Sequence, residues 1–352
     1  MQNTAESVRL PAEWEPQSAV QLTLPHADTD WGPVLPDVLP VFVQIAETIA
    51  RFEPVLVVAQ DADAARQLLG HLPPNRLQIL EIPSNDSWAR DHGAISIERD
   101  GQPELLNFVF NGWGLKFPAN KDNLITTRLR DAHAFACPVR HGGLVLEGGG
   151  IESDGQGTLL ATAECLLSPN RNPHLDAAEL EAQLKTLFGL QRVLWLHHGY
   201  LEGDDTDSHI DTLARFCSPD TIAYVRCTDP ADAHFEALQA MEQELQSFRT
   251  LSGKPYRLAP LPWPDACYGP DGERLPATYA NFLLINGAVL VPTYNLPQDQ
   301  AALEILQALF PDREIIGIPC RPLILQHGSL HCVTMQYAAG TTAGFNEKTI
   351  VP

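Results

Sequence analysis

Five residues far apart in the chain have side chains suited to one piece of chemistry. Asp91 stands in SWARDHG, Glu147 in LEGGG, His209 and Asp211 in DDTDSHID, and Cys332 in SLHC. A cysteine attacks as its thiolate, and a histidine exchanges protons near neutral pH. A third group usually orients such a histidine, a role open to Glu147. Two further carboxylates beside a thiolate are hostile to an anionic or ester substrate. They suit a planar guanidinium, which forms paired, charge-assisted hydrogen bonds with carboxylates. The set therefore points to attack on a guanidinium carbon.

Such residues act together only if the fold gathers them, and the order of elements offers a way. A hairpin, a helix and a strand recur along the chain. Residues 281–292 form a hairpin at Asn286-Gly287, followed by a helix over 298–310 and a strand over 313–319. Residues 150–167 turn at Asp154-Gly155, before a helix over 176–189 and a strand over 192–198. Residues 210–227 offer two strands about Ser218-Pro219-Asp220, then a helix over 231–248 and a strand over 256–262. Residues 93–110 turn at Asp100-Gly101, with a helix over 123–135 and a strand over 143–148. A fifth unit is split between the ends, with strands at 20–25 and 54–60, a helix within 34–52, and a late strand at 330–336 pairing with 20–25. Pro36 and Pro40 weaken the first turns of that helix, which is expected to start near Val41.

Five ββαβ units predict an α/β fold, a five-bladed pseudo-symmetric propeller with one central channel, whose closure removes exposed sheet edges. Asp91, Glu147, His209 with Asp211, and Cys332 stand at corresponding places in their units, so the axis brings them together. Prolines are distributed, and no linker or low-complexity block divides the chain. One catalytic domain over 1–352 is therefore expected, although length alone suggests about two.

The composition narrows the partner. Twenty-three Lys plus Arg against 44 Asp plus Glu give a net charge of −21. That argues against nucleic acid and against an anionic membrane surface, and it suits a cationic small molecule. No stretch approaches the ~20 apolar residues of a bilayer span. The first residues lack the basic region and apolar run of a signal peptide, so a cytoplasmic location is expected. Seven scattered cysteines without a CxxC fit free thiols in a reducing compartment. The oxygen-rich DDTDSHID invites a calcium reading, but the glycine of that loop's tight turn is Ile210 here. No metal and no cofactor are expected. His197-His198 reads most simply as the end of a strand.

The motifs NDSWARDHG (85–93), NGWG with KDN (111–114 and 121–123), LEGGGIESDGQGTLLATAECLLSPNRNP (146–173), GDDTDSHIDTLARF (203–216), YANFLLINGAVLVP (279–292) and SLHCVTMQ (329–336) run through nearly the whole chain. Together they resemble the agmatine deiminase family, within the guanidine-modifying superfamily of five-bladed α/β propellers, the pentein fold. The resemblance implies Cys332 as nucleophile, His209 as general acid and base, Glu147 as its support, and Asp91 and Asp211 as guanidinium ligands. It implies hydrolysis of agmatine to N-carbamoylputrescine and ammonia through an amidino-cysteine, in putrescine biosynthesis, without a cofactor, by a homo-oligomer. Trp88 and Trp113 are candidate pocket walls or propeller packing. Asp204 and Asp205 are candidates for the distal amine, or a solvated loop. The alternative is a guanidine hydrolase for free, methylated or peptide-bound arginine, with Arg90 and Arg171 available to meet a carboxylate. The chain departs from the family pattern at His92, Ser208 and His327, which puts pocket shape and charge in question.

Overall fold

The structure, a computed structural model, describes residues 7–345. Five of its sheets share one topology, an antiparallel pair extended by a parallel strand that returns after a helix. The first pairs Ile95–Arg99 with Gln102–Val109 and then Val139–Val145, and Val8–Arg9 adds at its edge. The second joins Glu152–Ser153, Thr158–Thr162 and Arg192–Leu196. The third joins Ala214–Ser218, Thr221–Val225 and Arg257–Leu261, and the fourth Leu283–Ile285, Ala288–Thr293 and Glu314–Pro319. In the fifth, Thr334–Ala338 lies antiparallel to Gln17–Thr23, which runs parallel to Val55–Ala59. The two ends of the chain thus complete one unit.

Contacts pass from each unit to the next and close on themselves. Helix Ala177–Phe188 packs on Val8–Arg9, Phe235–Ser247 on Arg192–Leu196, Asp299–Leu309 on Arg257–Leu261, and Leu35–Ala50 on Glu314–Pro319. Strand Thr334–Ala338 meets Ile95–Arg99 and completes the ring. The result is the α/β propeller that the repeated units predict. Its local causes are visible. Val55–Ala59 is paired on both edges and buried throughout, as its unbroken apolar run requires. Helix Ala177–Phe188 starts on a reciprocal Asp176–Glu179 capping box.

Four local expectations are corrected. The helix expected near Val41 begins at Leu35, with Pro40 inside it. Pro36 sits in the first turn, where no N–H is needed, and buried Val38, Val41, Phe42 and Ile45 offset the bond lost at Pro40. Residues 32–50 are also long and apolar enough by composition to cross a bilayer, contrary to the sequence reading, yet that helix packs its apolar face in the core. The late strand starts at Thr334 rather than residue 330, which leaves Cys332 on the turn before it. An unforeseen helix Ala62–Leu69 and strand Leu77–Glu81 extend the fifth sheet.

Candidate active site

The turns leading into the sheets carry the candidate residues. Asp91 sits in the short helix Ala89–His92, Glu147 just before the turn Gly148–Gly150, His209 just before Ile210–Thr212, and Asp211 within it. The backbone N–H of Arg90 donates to the carbonyl of Cys332 at 3.1 Å, tying the first of these turns to the last. Asp91, Cys332, Trp88, Trp113, Asp204 and Asp205 all line one cavity of 140 Å³. Glu147, His209 and Asp211 are buried and are not among the residues lining it, with Asp211 Oδ2 3.9 Å from Cys332 Sγ.

Asp91 is held from two sides. Trp113 Nε1 donates to Oδ2 at 2.9 Å and the Gly149 N–H to Oδ1 at 3.1 Å, while His209 Nδ1 stands 3.6 Å from Oδ1. A Cβ on Gly149 would lie 2.6 Å from His209 Nδ1 and 2.8 Å from Asp91 Oδ1, so only glycine permits this approach. Burial pushes the Asp91 carboxyl up to about 6, with Asp211 adding to it and His209 opposing. Burial opposes the charged form of His209, but Asp91, Cys165 and Glu147 outweigh it and raise its pKa to about 10. The Asp91 and Glu147 carboxylates therefore favour the imidazolium form of His209. Neither ring nitrogen makes a hydrogen bond among the described residues.

Glu147 does not hydrogen-bond His209. Arg171 Nε donates to both its oxygens, at 2.8 and 3.1 Å, and Arg171 Nη1 meets Asp207 at 2.7 Å. Its influence on His209 is electrostatic rather than a hydrogen bond. Donor atoms of Glu147, Cys165 and His209 lie within 4.8 Å of one another, with Glu147 already committed to Arg171.

Asp211 accepts from His331 Nδ1 at 2.7 Å through Oδ2, and its buried Oδ1 has no partner among the described residues. Cys332 Sγ lies 3.9 Å from Asp211 Oδ2 and 3.3 Å from Asn281 Nδ2. Asn281 Oδ1 also accepts the N–H groups of His331 and Cys332, at 2.8 and 3.4 Å, fixing the turn that carries the thiol. Burial, then Asp211 and Asp91, push the Cys332 thiol well above its ordinary range.

The cavity mouth is acidic and aromatic. Asp30, Asp86 and Phe117 also line it, and burial raises Asp86 to about 6. Among the described residues no lysine or arginine lines it. Trp31 packs behind Trp88 with ring centroids 5.5 Å apart. A Cβ on Gly328 would meet the Trp88 ring at 2.2 Å, which keeps that wall flat. Asp204 is spent on its own loop, accepting from Thr206 and Ser208, whereas Asp205 remains 44% exposed with His327 Nδ1 at 4.0 Å. Of the two distal-amine candidates, the geometry leaves Asp205 free.

The departures also separate. His92 is buried against Thr23, with burial lowering its pKa to about 3, and it does not line the cavity. Ser208 has φ +62° and donates to Glu164, also away from the cavity. Only His327 reaches it. Neither arginine proposed to meet a carboxylate lines it. Arg171 holds Glu147, and Arg90 faces a different cavity with Gln336 as partner. Asn281, His331 and Cys165 went unassigned in the sequence, although all three lie inside the quoted motifs.

Residues 9–338 match the model of the Porphyromonas-type peptidyl-arginine deiminases. An agmatine deiminase of Pseudomonas syringae pv. tomato is 35% identical over 362 residues, covering 95% of this chain and 96% of the relative. A Porphyromonas gingivalis structure provisionally named an arginine deiminase is 54% identical, with a TM-score of 0.91 over 96% of this chain and 100% of the other. The substrate-bound agmatine deiminase of C. jejuni, a cysteine-to-serine variant, is 35% identical, with a TM-score of 0.90 over 96% and 98% of the chains.

Proposed function

The chain belongs to the Porphyromonas-type peptidyl-arginine deiminase family, and we propose that its reaction is the hydrolysis of agmatine to N-carbamoylputrescine and ammonia. One observation carries this choice. The cavity holding Cys332 and Asp91 is lined by further carboxylates and by no lysine or arginine among the described residues. Agmatine presents a guanidinium at one end and an ammonium at the other. Arginine adds a carboxylate, which would need a basic partner. Lys116, the near cation, is committed to Asp207 Oδ1 and the Asp205 carbonyl, both at 2.6 Å.

In this reading Asp91 and Asp211 grip the guanidinium between Trp88 and Trp113, and Asp205 takes the distal amine. As the guanidinium binds, the Cys332 thiol releases its proton to water, and the thiolate attacks the central carbon and forms the S–C bond. His209 gives its proton to the departing nitrogen, so ammonia leaves and an amidino-cysteine remains. Neutral His209 then takes a proton from water. The hydroxide attacks the same carbon, the S–C bond breaks with Cys332 leaving as thiolate, and the hydroxyl proton passes to water as the carbamoyl product forms its C=O and departs. Glu147 stabilises the imidazolium of His209 by charge, and Arg171 holds Glu147 in place. Every step uses protein side chains and water. A cytoplasmic location, one catalytic domain and a homo-oligomer belong to the same reading.

A second substrate class, free or peptide-bound arginine, is favoured by the names of the 54% identical relative and of the matched family model. Turnover on agmatine, arginine and a blocked arginine peptide decides between them. Agmatine should give carbamoyl product and ammonia in equal amounts, with kcat/KM at least about a hundredfold above either competitor. A preference for arginine or for the peptide overturns the proposal.

A further inference from the structure

His331 stands between the site and a second cavity. Asp91 and Cys332 line the first, whereas their sequence neighbours Arg90 and His331 line the second, together with Glu13 and Glu152. A polar chain crosses the wall between them. His331 Nδ1 meets Asp211 Oδ2 at 2.7 Å, and its Nε2 stands 2.9 Å from Glu13 Oε2 and 3.1 Å from Arg215 Nη2. Arg215 in turn donates to Glu13 at 2.6 Å and pairs with Glu152 on its other side. His331, Arg215, Asp211 and Glu152 are all buried.

Hydrogen placement follows from these partners. Asp211 Oδ2 needs a donor; the Cys332 thiol is 3.9 Å away, and His331 Nδ1, at 2.7 Å, supplies the short bond. Nδ1 therefore carries the hydrogen. Nε2 is served in either charge state, accepting from Arg215 when the ring is neutral and donating to Glu13 when it is charged. The Nδ1–H bond to Asp211 survives both. Around His331, burial, Arg215 and Arg90 oppose the imidazolium, while Glu13 and Asp211 favour it. A carboxylate as buried as Asp211 would otherwise tend to take up a proton. Protonated, it loses the charge that a guanidinium pairs with.

We propose that His331 is a positioning residue for substrate binding, whose Nδ1–H keeps Asp211 ionised and turned so that Oδ1 is left for the guanidinium. Glu13 and Arg215 hold the ring from the second cavity. The inference rests on the reading of Asp211 as a guanidinium ligand. It makes the residue before the nucleophile a determinant of affinity rather than of bond breaking.

The test measures agmatine binding by calorimetry across pH in the Cys332→Ser protein, which cannot turn over. To it are added His331→Asn, His331→Gln, His331→Leu or Asp211→Asn. Asparagine places an amide N–H near the Nδ1 position, glutamine near Nε2, and leucine offers no donor. His331→Leu and His331→Gln should each raise Kd about tenfold or more, the loss expected for a bond to a charged group, and His331→Asn should stay within about threefold. Below neutral pH the His331→Leu and His331→Gln proteins should lose affinity with two protons rather than one, as Asp211 joins Asp91 in titrating. In otherwise wild-type enzyme the same changes should raise KM more than they lower kcat. Equal affinities and identical pH limbs for Asn and Gln overturn the proposal, whether or not His331→Leu folds. If Asp211→Asn also binds agmatine normally, the guanidinium-ligand reading itself has failed.

Discussion

Binding of a guanidinium should convert Cys332 from thiol to thiolate. In the empty cavity burial raises its pKa, and Asp211 and Asp91 raise it further by like-charge repulsion. Asp211 Oδ2 lies 3.9 Å from Sγ. At an effective dielectric constant near 20, two unit charges at that separation interact by about 4 kcal/mol, or about 3 pH units. A guanidinium between Asp91 and Asp211 cancels this repulsion and adds its own attraction to the thiolate. Saturating ligand should therefore lower the apparent pKa of Cys332 by about 2 to 3 units. The assay is ultraviolet thiolate absorbance against pH, with and without an inert guanidine. Subtracting the Cys332→Ser curve removes the other six thiols, all of which burial pushes upward. Asp211→Asn should lower the pKa of the empty enzyme by a similar amount and remove most of the ligand's effect. An apparent pKa that stays put at saturation refutes the reasoning.

Four further outcomes are expected. Cys332→Ser should abolish release of ammonia without lowering the melting temperature, and retained turnover would remove Cys332 as nucleophile. Because burial raises Asp91 to about 6, its charge is present above that pH and lost as pH falls through it; agmatine affinity of the Cys332→Ser protein should fall over the same window, and a flat profile down to about pH 5 contradicts this. Trp113→Phe keeps an aromatic wall but removes the 2.9 Å donor to Asp91, so Kd should rise about ten- to a hundredfold in a direct titration. Gly149→Ala would place a Cβ 2.6 Å from His209 Nδ1, and displacing that ring should cut kcat about a hundredfold or more in steady-state kinetics while the protein still folds.

Much of the architecture is local, and local signals sit in neighbouring residues. Asn286-Gly287 and Asp100-Gly101 turn their hairpins because Gly287, Gly101 and even Asp100 take positive φ there, a demand visible in the dipeptides. The periods of 2 and 3.6 on either side place strand and helix. The prolines misled near Val41, because whether a helix tolerates Pro40 depends on what its buried face gains elsewhere. The start of the late strand was similarly displaced, since the turn at Cys332 is held by Asn281, 51 residues away.

The sequence by itself determined the reactive inventory, a thiol, a histidine and three carboxylates at equivalent points of a repeated unit, and the cationic class of ligand that such a set and a charge of −21 accept. Only the tertiary structure decided how each group behaves. It pushed His209 towards its charged form and Cys332 towards its neutral one, because desolvation and charges at a few ångströms shift a pKa, and both depend on how the ring closes. It bound Glu147 to Arg171, spent Asp204 on its own loop and left Asp205 free. It also placed His331 between Asp211 and Glu13, residues 120 and 318 positions away from it in the chain. Pairings across such separations are created by ring closure and leave no mark on the residues either side of them.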